Sequence, residues 1–271
     1  MRELIDCHVH TELSGHGTGS VGQIVSAAIF KGLTGLVLTE HLPLPQGIDP
    51  EHHISMPLES LPVYVEDVRA WATKAKGLEV VVGGEADWIP GKENETLRIQ
   101  RAARSSGVDV LLGSVHFLGE WAFDDPHSVH VWDEHDVDEV YRHYFTEWCA
   151  AARSGLFDVM AHPDVVKKFG HRPAGDPREL YEAAARAAVD GGVLIEVSTA
   201  GLRKPVGELY PAADLLAAFA AAGIGATVGS DAHSTDEVGL DIERAYEALF
   251  EAGYREVRFP TGRHESRSIA L

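Results

Sequence analysis

Short apolar segments that each close on a metal-ligating side chain recur along this chain. They are IDCHVH, closing on His8 and His10; GLVLTEH, on His41; VVVGGEAD, on Glu85; LLGSVH, on His116; FDVMAH, on His162; and ATVGSDAH, on Asp231 and His233. A seventh, VLIEVSTAGLR, ends in Ser198 and Thr199 and then offers Arg203. Stretches with helical spacing lie between them, at 21–32, 57–77, 93–107, 136–155, 177–192, 210–223 and near 236–252, the last followed by a short EVRF strand. Near-continuous apolar strands alternating with helices predict a parallel sheet covered by helices. The ligand-bearing ends are spread along the whole chain and must converge on one point. An open sheet would hold its outer strand ends too far apart. The expected fold is α/β: a single-domain, distorted, TIM-like (β/α)7 barrel over residues 1–271, with its site at the C-terminal ends of the strands. The long irregular stretches 42–57 and 117–135 follow two of those ends, where loops shape substrate pockets.

The formal net charge is −19 with histidine neutral. A general nucleic-acid binder carries a basic face, so neither nucleic acid nor an anionic membrane is an expected partner. A small anionic substrate remains compatible, because bound metal ions reverse the local sign. A strand begins within a few residues of the N-terminus, with no charged segment and apolar run before it. No signal peptide is expected, no apolar stretch approaches a membrane span, and the expected location is the cytoplasm. Cys7 and Cys149 are read as core residues. The oligomeric state is left open.

The ligand types bind hard or borderline divalent ions. His8 and His10 are two apart on a strand, so both imidazoles share a face. Asp231 and His233 have the same spacing. Glu85 follows two glycines at a strand mouth, where a carboxylate can bridge two ions. His116 and His162 each close an apolar strand, and His16 lies in the glycine-rich loop SGHGTG. Each alone has an ordinary reading as a core or surface residue. Their coincidence at one barrel mouth points to a multinuclear metal-dependent hydrolase.

The order His-x-His, a loop His, Thr-Glu-His, Glu, Ser-Val-His, Ala-His-Pro and Ser-Asp-Ala-His resembles the polymerase and histidinol phosphatase (PHP) superfamily. The resemblance covers nearly the entire chain, and every metal position of the superfamily is filled: His8, His10, His16, His41, Glu85, His116, His162, Asp231 and His233. It implies three ions. One takes His8, His10, Glu85 and Asp231; a second takes Glu85, His116 and His162; a third takes His16, His41 and His233. Histidine-rich ligation favours zinc, and iron or manganese also suits the set. The stretches GEADWIPG, GSVHFLGEWAFD, SGLFDVMAHPDVVKKFGH and VSTAGLRKPVGELYP resemble the stand-alone histidinol-phosphate phosphatases.

That resemblance implies a phosphomonoesterase that hydrolyses L-histidinol phosphate to L-histidinol and phosphate, in histidine biosynthesis. A hydroxide shared by two ions across Glu85 is the expected nucleophile. Glu85, Asp231 and His233 are the candidate catalytic residues, His233 as one possible aid to the leaving alkoxide. Arg203, whose planar fork suits phosphate, and Lys168 are the candidate phosphate contacts. Glu12, Glu40 or Asp87 are candidates for the substrate ammonium, and Trp88 or Phe117 for its ring. Asp6 and Glu196 share the parity of site-facing residues and are expected to orient ligand imidazoles. Two other readings stand beside this one: a PHP phosphoesterase acting on nucleotides or nucleic-acid ends, and a non-catalytic, metal-stabilised PHP domain.

Overall fold

The structure is a computed structural model that describes residues 3–271. In chain order its elements are β1 (Ile5–Val9), α1 (Val21–Phe30), β2 (Gly35–His41), α2 (Leu61–Ala72), β3 (Glu79–Asp87), α3 (Glu93–Ser106) and β4 (Val110–Ser114). The two-residue strands β5 (Phe117–Leu118) and β6 (Trp121–Ala122) follow, then α4 (Val137–Arg153), β7 (Val159–Met160), α5 (Arg178–Gly191) and β8 (Leu194–Ser198). The chain ends with α6 (Ala213–Ala221), β9 (Ala226–Gly229), α7 (Ile242–Glu251), β10 (Glu256–Gly262) and β11 (Glu265–Ala270).

Seven strands form one parallel sheet in the order β1-β2-β3-β4-β7-β8-β9. A parallel bridge joins Val9 to Ala232, just past β9, and the His10 N–H donates to the Ala232 carbonyl at 2.8 Å. The sheet therefore curls until its first and last strands meet, giving the distorted TIM-like barrel expected from the strand–helix alternation. Helices start and stop where local chemistry directs. Ser20 and Gln23 form a capping box for α1, Asp136 caps α4, and Gly107 and Gly192 end α3 and α5 in the left-handed conformation. The helix expected over 57–77 is shorter. Leu58–Ser60 form a 3-10 turn, α2 starts beside Pro62, and it stops at Ala72. Proline fits only a first helical turn, which sets that start.

The core fills the space between sheet and helices. Trp148, Tyr64, Tyr144 and Phe219 are buried there, and Cys7 and Cys149 are buried and unpaired, as expected. The end of the chain departs from expectation. EVRF is the start of a hairpin, β10–β11, that covers the N-terminal end of the barrel. Phe259 packs there against Ile5; a Cβ on Gly35 would meet both side chains, at 2.8 and 2.9 Å. Only Ile269 of β11 is buried, so that strand has too little apolar periodicity to be read from sequence.

Candidate metal centre

At the opposite end of the barrel nine side chains converge. Glu85, buried at the end of β3, is their centre. Its Oε2 lies 3.2 Å from His8 Nε2, 3.3 Å from His10 Nε2 and 3.1 Å from His41 Nδ1. Its Oε1 lies 3.1 Å from His162 Nε2 and 3.9 Å from His116 Nε2, and accepts a short hydrogen bond from Ser114. Asp231 Oδ1 is 3.4 Å from His10 Nε2 and 3.7 Å from His8 Nε2. Two compact groups with ligand-like spacing thus share Glu85: His8 and His10 on one side, His116 and His162 on the other. A third group gathers His10, His41 and His233, with His16 beside it, its ring 4.6 Å from His233 and 5.2 Å from His41. His10 stacks on His41 and His233 at 4.2 and 4.3 Å, so it stands between two of the groups. His16 is the most exposed of the nine.

Outer partners turn these rings inward. Glu196 accepts from His8 Nδ1 at 2.9 Å and Asp87 from His116 Nδ1 at 2.8 Å. The Ser14 carbonyl accepts from His16 Nδ1 at 2.9 Å, and the Asp231 carbonyl from His233 Nδ1 at 3.1 Å. An acceptor on Nδ1 places the proton there and leaves the Nε2 lone pair facing inward. His10 Nε2 and His233 Nε2 are buried with no hydrogen-bond partner among the described residues. Buried polar atoms are rarely left so.

Packing makes these contacts possible. A Cβ on Gly229 would sit 2.1 Å from Glu196 Oε1 and 2.5 Å from the His8 Cβ, so only glycine lets β9 pass this pair. His162 and Asp231 have positive φ, 25° and 50°, a costly backbone for such residues that aims both side chains off the strand line.

Electrostatics follow from the same arrangement. Burial opposes charge on Glu85, but His8, His41, His10 and His162 hold its carboxyl well below the usual range. Burial likewise opposes charge on Asp231, and His8 and His10 reverse it. On the imidazoles burial acts the other way. Asp231, Glu40 and Glu85 overcome it to lift His10 to about 10, and Asp87 and Asp124 lift His116 to about 10. Burial and the nearby His10 charge push His233 down to about 3. The field here favours positive charge at the cluster centre, where a divalent ion would meet it. Nitrogen and carboxylate donors with inward lone pairs fit zinc, iron or manganese.

A cavity of about 1130 Å³ opens over the cluster. Both long loops line it, Leu44 to Ser55 from one and Phe117 to His127 from the other. Asp49 knits the first loop by accepting from the His53, Ile54 and Ser55 amides. Lys168 lines the cavity paired to Asp124 at 3.0 Å. Arg203 donates from Nη2 to the Ser230 and Asp231 carbonyls at 2.9 and 3.3 Å, and its Nε is 3.3 Å from Glu237. Its Nη1 is buried without a partner among the described residues.

Several expectations need adjusting. Asp6 touches no ligand imidazole side chain. It accepts from the Ser230 amide and hydroxyl and from the Gly239 amide. The register of β1 against β2 shifts between Asp6 and Val9, and such a bulge breaks the parity on which the expectation rested. Glu196 does orient His8. Asp87 is engaged with His116, Glu40 with Thr11, and Trp88 donates to Glu147 at 3.0 Å, while Phe117 does line the cavity. Asp124, Lys204 and Tyr210 also line it and were not singled out from sequence. Asp124 and Lys204 lie on stretches without strand or helix period, and Tyr210 opens the helix expected over 210–223, which in the structure starts only at Ala213, so only the fold brings them here.

Residues 6–200 match the PHP domain model. The chain is 41% identical over 261 residues to a probable histidinol-phosphatase of Deinococcus radiodurans, covering 96% of this chain and 97% of that one. It is 27% identical to the histidinol-phosphatase of Bacillus subtilis, over 91% of this chain and 98% of the relative. A crystal structure of the Lactococcus lactis histidinol phosphate phosphatase, complexed with zinc, L-histidinol and phosphate, shares the fold: TM-score 0.82 at 21% identity, covering 98% of this chain and all of that one (100%). The ligand order read along the strands, the barrel that gathers it and these similarities agree: the chain belongs to the PHP domain family.

Proposed function

We propose that this protein is a metal-dependent phosphomonoesterase that hydrolyses L-histidinol phosphate to L-histidinol and phosphate, and that residues 1–271 act as one cytoplasmic catalytic domain in histidine biosynthesis. The carrying observation is the ring of inward-turned imidazoles around the buried Glu85, beneath a cavity large enough for a small phosphomonoester. The relatives named as histidinol-phosphatases support the substrate. No helix among the described residues is long and apolar enough to cross a membrane, which accords with that location.

His8, His10, Glu85 and Asp231 would hold one ion, Glu85, His116 and His162 a second, and His16, His41 and His233 a third. His10 sits close enough to His41 and His233 to take part in the third group as well. Bound ions supply Lewis acidity, which lowers the pKa of water and offsets phosphoryl charge. The chain supplies position. Glu196 and Asp87 fix the faces of His8 and His116, and Ser114 fixes the rotation of Glu85. Arg203 does not line the cavity but holds the Ser230 and Asp231 carbonyls, and its Nη1 would have to turn out of the protein to meet a phosphoryl oxygen. Lys168 and Asp124 form a neutral pair in the wall, from which Lys168 can turn towards an anion.

Phosphate release from a panel of phosphomonoesters, with metal content measured on the same preparation, tests this reading. Histidinol phosphate should be the preferred substrate, with about three ions per chain. No turnover of any monoester by metal-loaded protein would overturn the catalytic assignment. Preference for a nucleotide would replace the substrate.

A further inference from the structure

Tyr210 is 1% exposed, yet its phenol oxygen has no hydrogen-bond partner among the described residues. A buried hydroxyl left unpaired is unfavourable, and in native proteins it calls for an explanation. Its ring is held on several sides. The backbone of Tyr210 exchanges two hydrogen bonds with Ser198 at the end of β8, at 2.7 and 3.0 Å. The ring meets His162 edge-on at 6.4 Å between centroids, and the Lys167 ammonium lies 5.5 Å from its centroid. A Cβ on Gly201 would come within 3.0 Å of the ring carbons Cε2 and Cζ, so the glycine makes room for it. Tyr210 lines the same cavity as His162, Asp124 and Asp231. Burial, with the charges of Asp164, Asp124 and Asp231, pushes the phenol pKa up, so the group stays a neutral donor.

Of the nearby carboxylates, Asp164 takes the Ala212 amide and Lys167 on Oδ2 and keeps Oδ1 unpaired among the described residues, while two others are engaged. Asp124 is paired to Lys168, and the Asp231 side chain faces His8 and His10. A second buried donor without a partner among the described residues, Arg203 Nη1, belongs to the side chain whose Nη2 donates to the Asp231 carbonyl, although Arg203 itself does not line the cavity. An unused donor on a residue that lines the cavity beside His162 and Asp231 fits a ligand rich in oxygen acceptors. We propose that Tyr210 donates a hydrogen bond to a non-bridging oxygen of the substrate's phosphoryl group, on the side of the cavity walled by His162 and Asp231. This assignment rests on the phosphomonoesterase reading above.

Tyr210→Phe tests it, because the variant keeps the ring and its packing. Inorganic phosphate would be titrated calorimetrically into metal-loaded parent and variant, alongside KM for histidinol phosphate, metal content and thermal unfolding without phosphate. A hydrogen bond to a charged group predicts phosphate binding weaker by about tenfold or more, and KM raised in step. Metal content should be unchanged. The Tm should be no lower, since the deleted hydroxyl has no partner to lose among the described residues. Equal phosphate affinity in parent and variant would overturn the proposal, as would a parent that binds no phosphate. A lower Tm with unchanged phosphate affinity would also overturn it, making the hydroxyl a packing group. If the parent binds phosphate but does not turn over histidinol phosphate, the substrate reading fails while the titration still decides Tyr210.

Discussion

The two ends of the barrel treat buried polarity in opposite ways. At the N-terminal end Asp158 is nearly fully buried, and its oxygens accept from the Leu111 and His264 amides and from Arg104. The β10–β11 hairpin seals that end with Phe259, Val257 and Ile269. At the C-terminal end His10, His233, Arg203 and Tyr210 keep buried atoms without partners among the described residues, and His162 and Asp231 hold positive φ. At the first end the buried Asp158 carboxylate is fully used by protein donors and contributes stability. The other end leaves these polar groups poised for ions and substrate, at a cost in stability that the rest of the fold offsets.

This contrast can be broken most directly at Glu85. Glu85→Gln should lower kcat well beyond the roughly ten- to hundredfold typical of an outer partner, with loss of metal, because one carboxylate faces both ion groups. Near-normal kcat with full metal content would show that Glu85 bridges nothing. At the sealed end, Phe259→Ala should cost about 3–5 kcal/mol in denaturant unfolding, with kcat of the folded protein nearly unchanged. A large fall in kcat at unchanged stability would mean that the two ends are not separable.

Arg203→Ala should raise KM and weaken phosphate inhibition by roughly ten- to a hundredfold, or about 1.5–3 kcal/mol. Arg203→Lys should restore only part, since an ammonium cannot reproduce a planar fork that holds the Ser230 and Asp231 carbonyls and still offers a second nitrogen. Parent-like kinetics and phosphate inhibition in the alanine variant would reduce Arg203 to a support for the Asp231 turn. The smallest effect is expected at Asp87. Asp87→Asn should weaken metal affinity or activity by about ten- to a hundredfold, the lower bound being nearest, because Asn still offers an oxygen to His116 Nδ1. Competition with a metal chelator would read this, and equal affinities would show that His116 is oriented by its packing alone.

Much of this molecule follows from local pattern. The alternation of apolar strands with helices determined the barrel, because only a closed sheet brings ligands from distant segments together. The nine candidate ligands were legible because each ends or follows a strand, a position that any parallel barrel turns towards one mouth. What the sequence could not decide depends on register and on segments without period. The β1 bulge turned Asp6 towards Ser230 and Gly239, a shift of one residue that alternation cannot reveal. The β10–β11 hairpin forms because the open end of the barrel offers Phe259 an apolar seat, although β11 itself buries only Ile269. Asp124 and Tyr210 reach the cavity, one on an irregular loop and the other through its bridge to Ser198. The identity of the ligands is local chemistry and was written in the strand ends. Which donors remain unpaired around them depends on every neighbour in space, and only the tertiary structure could decide that.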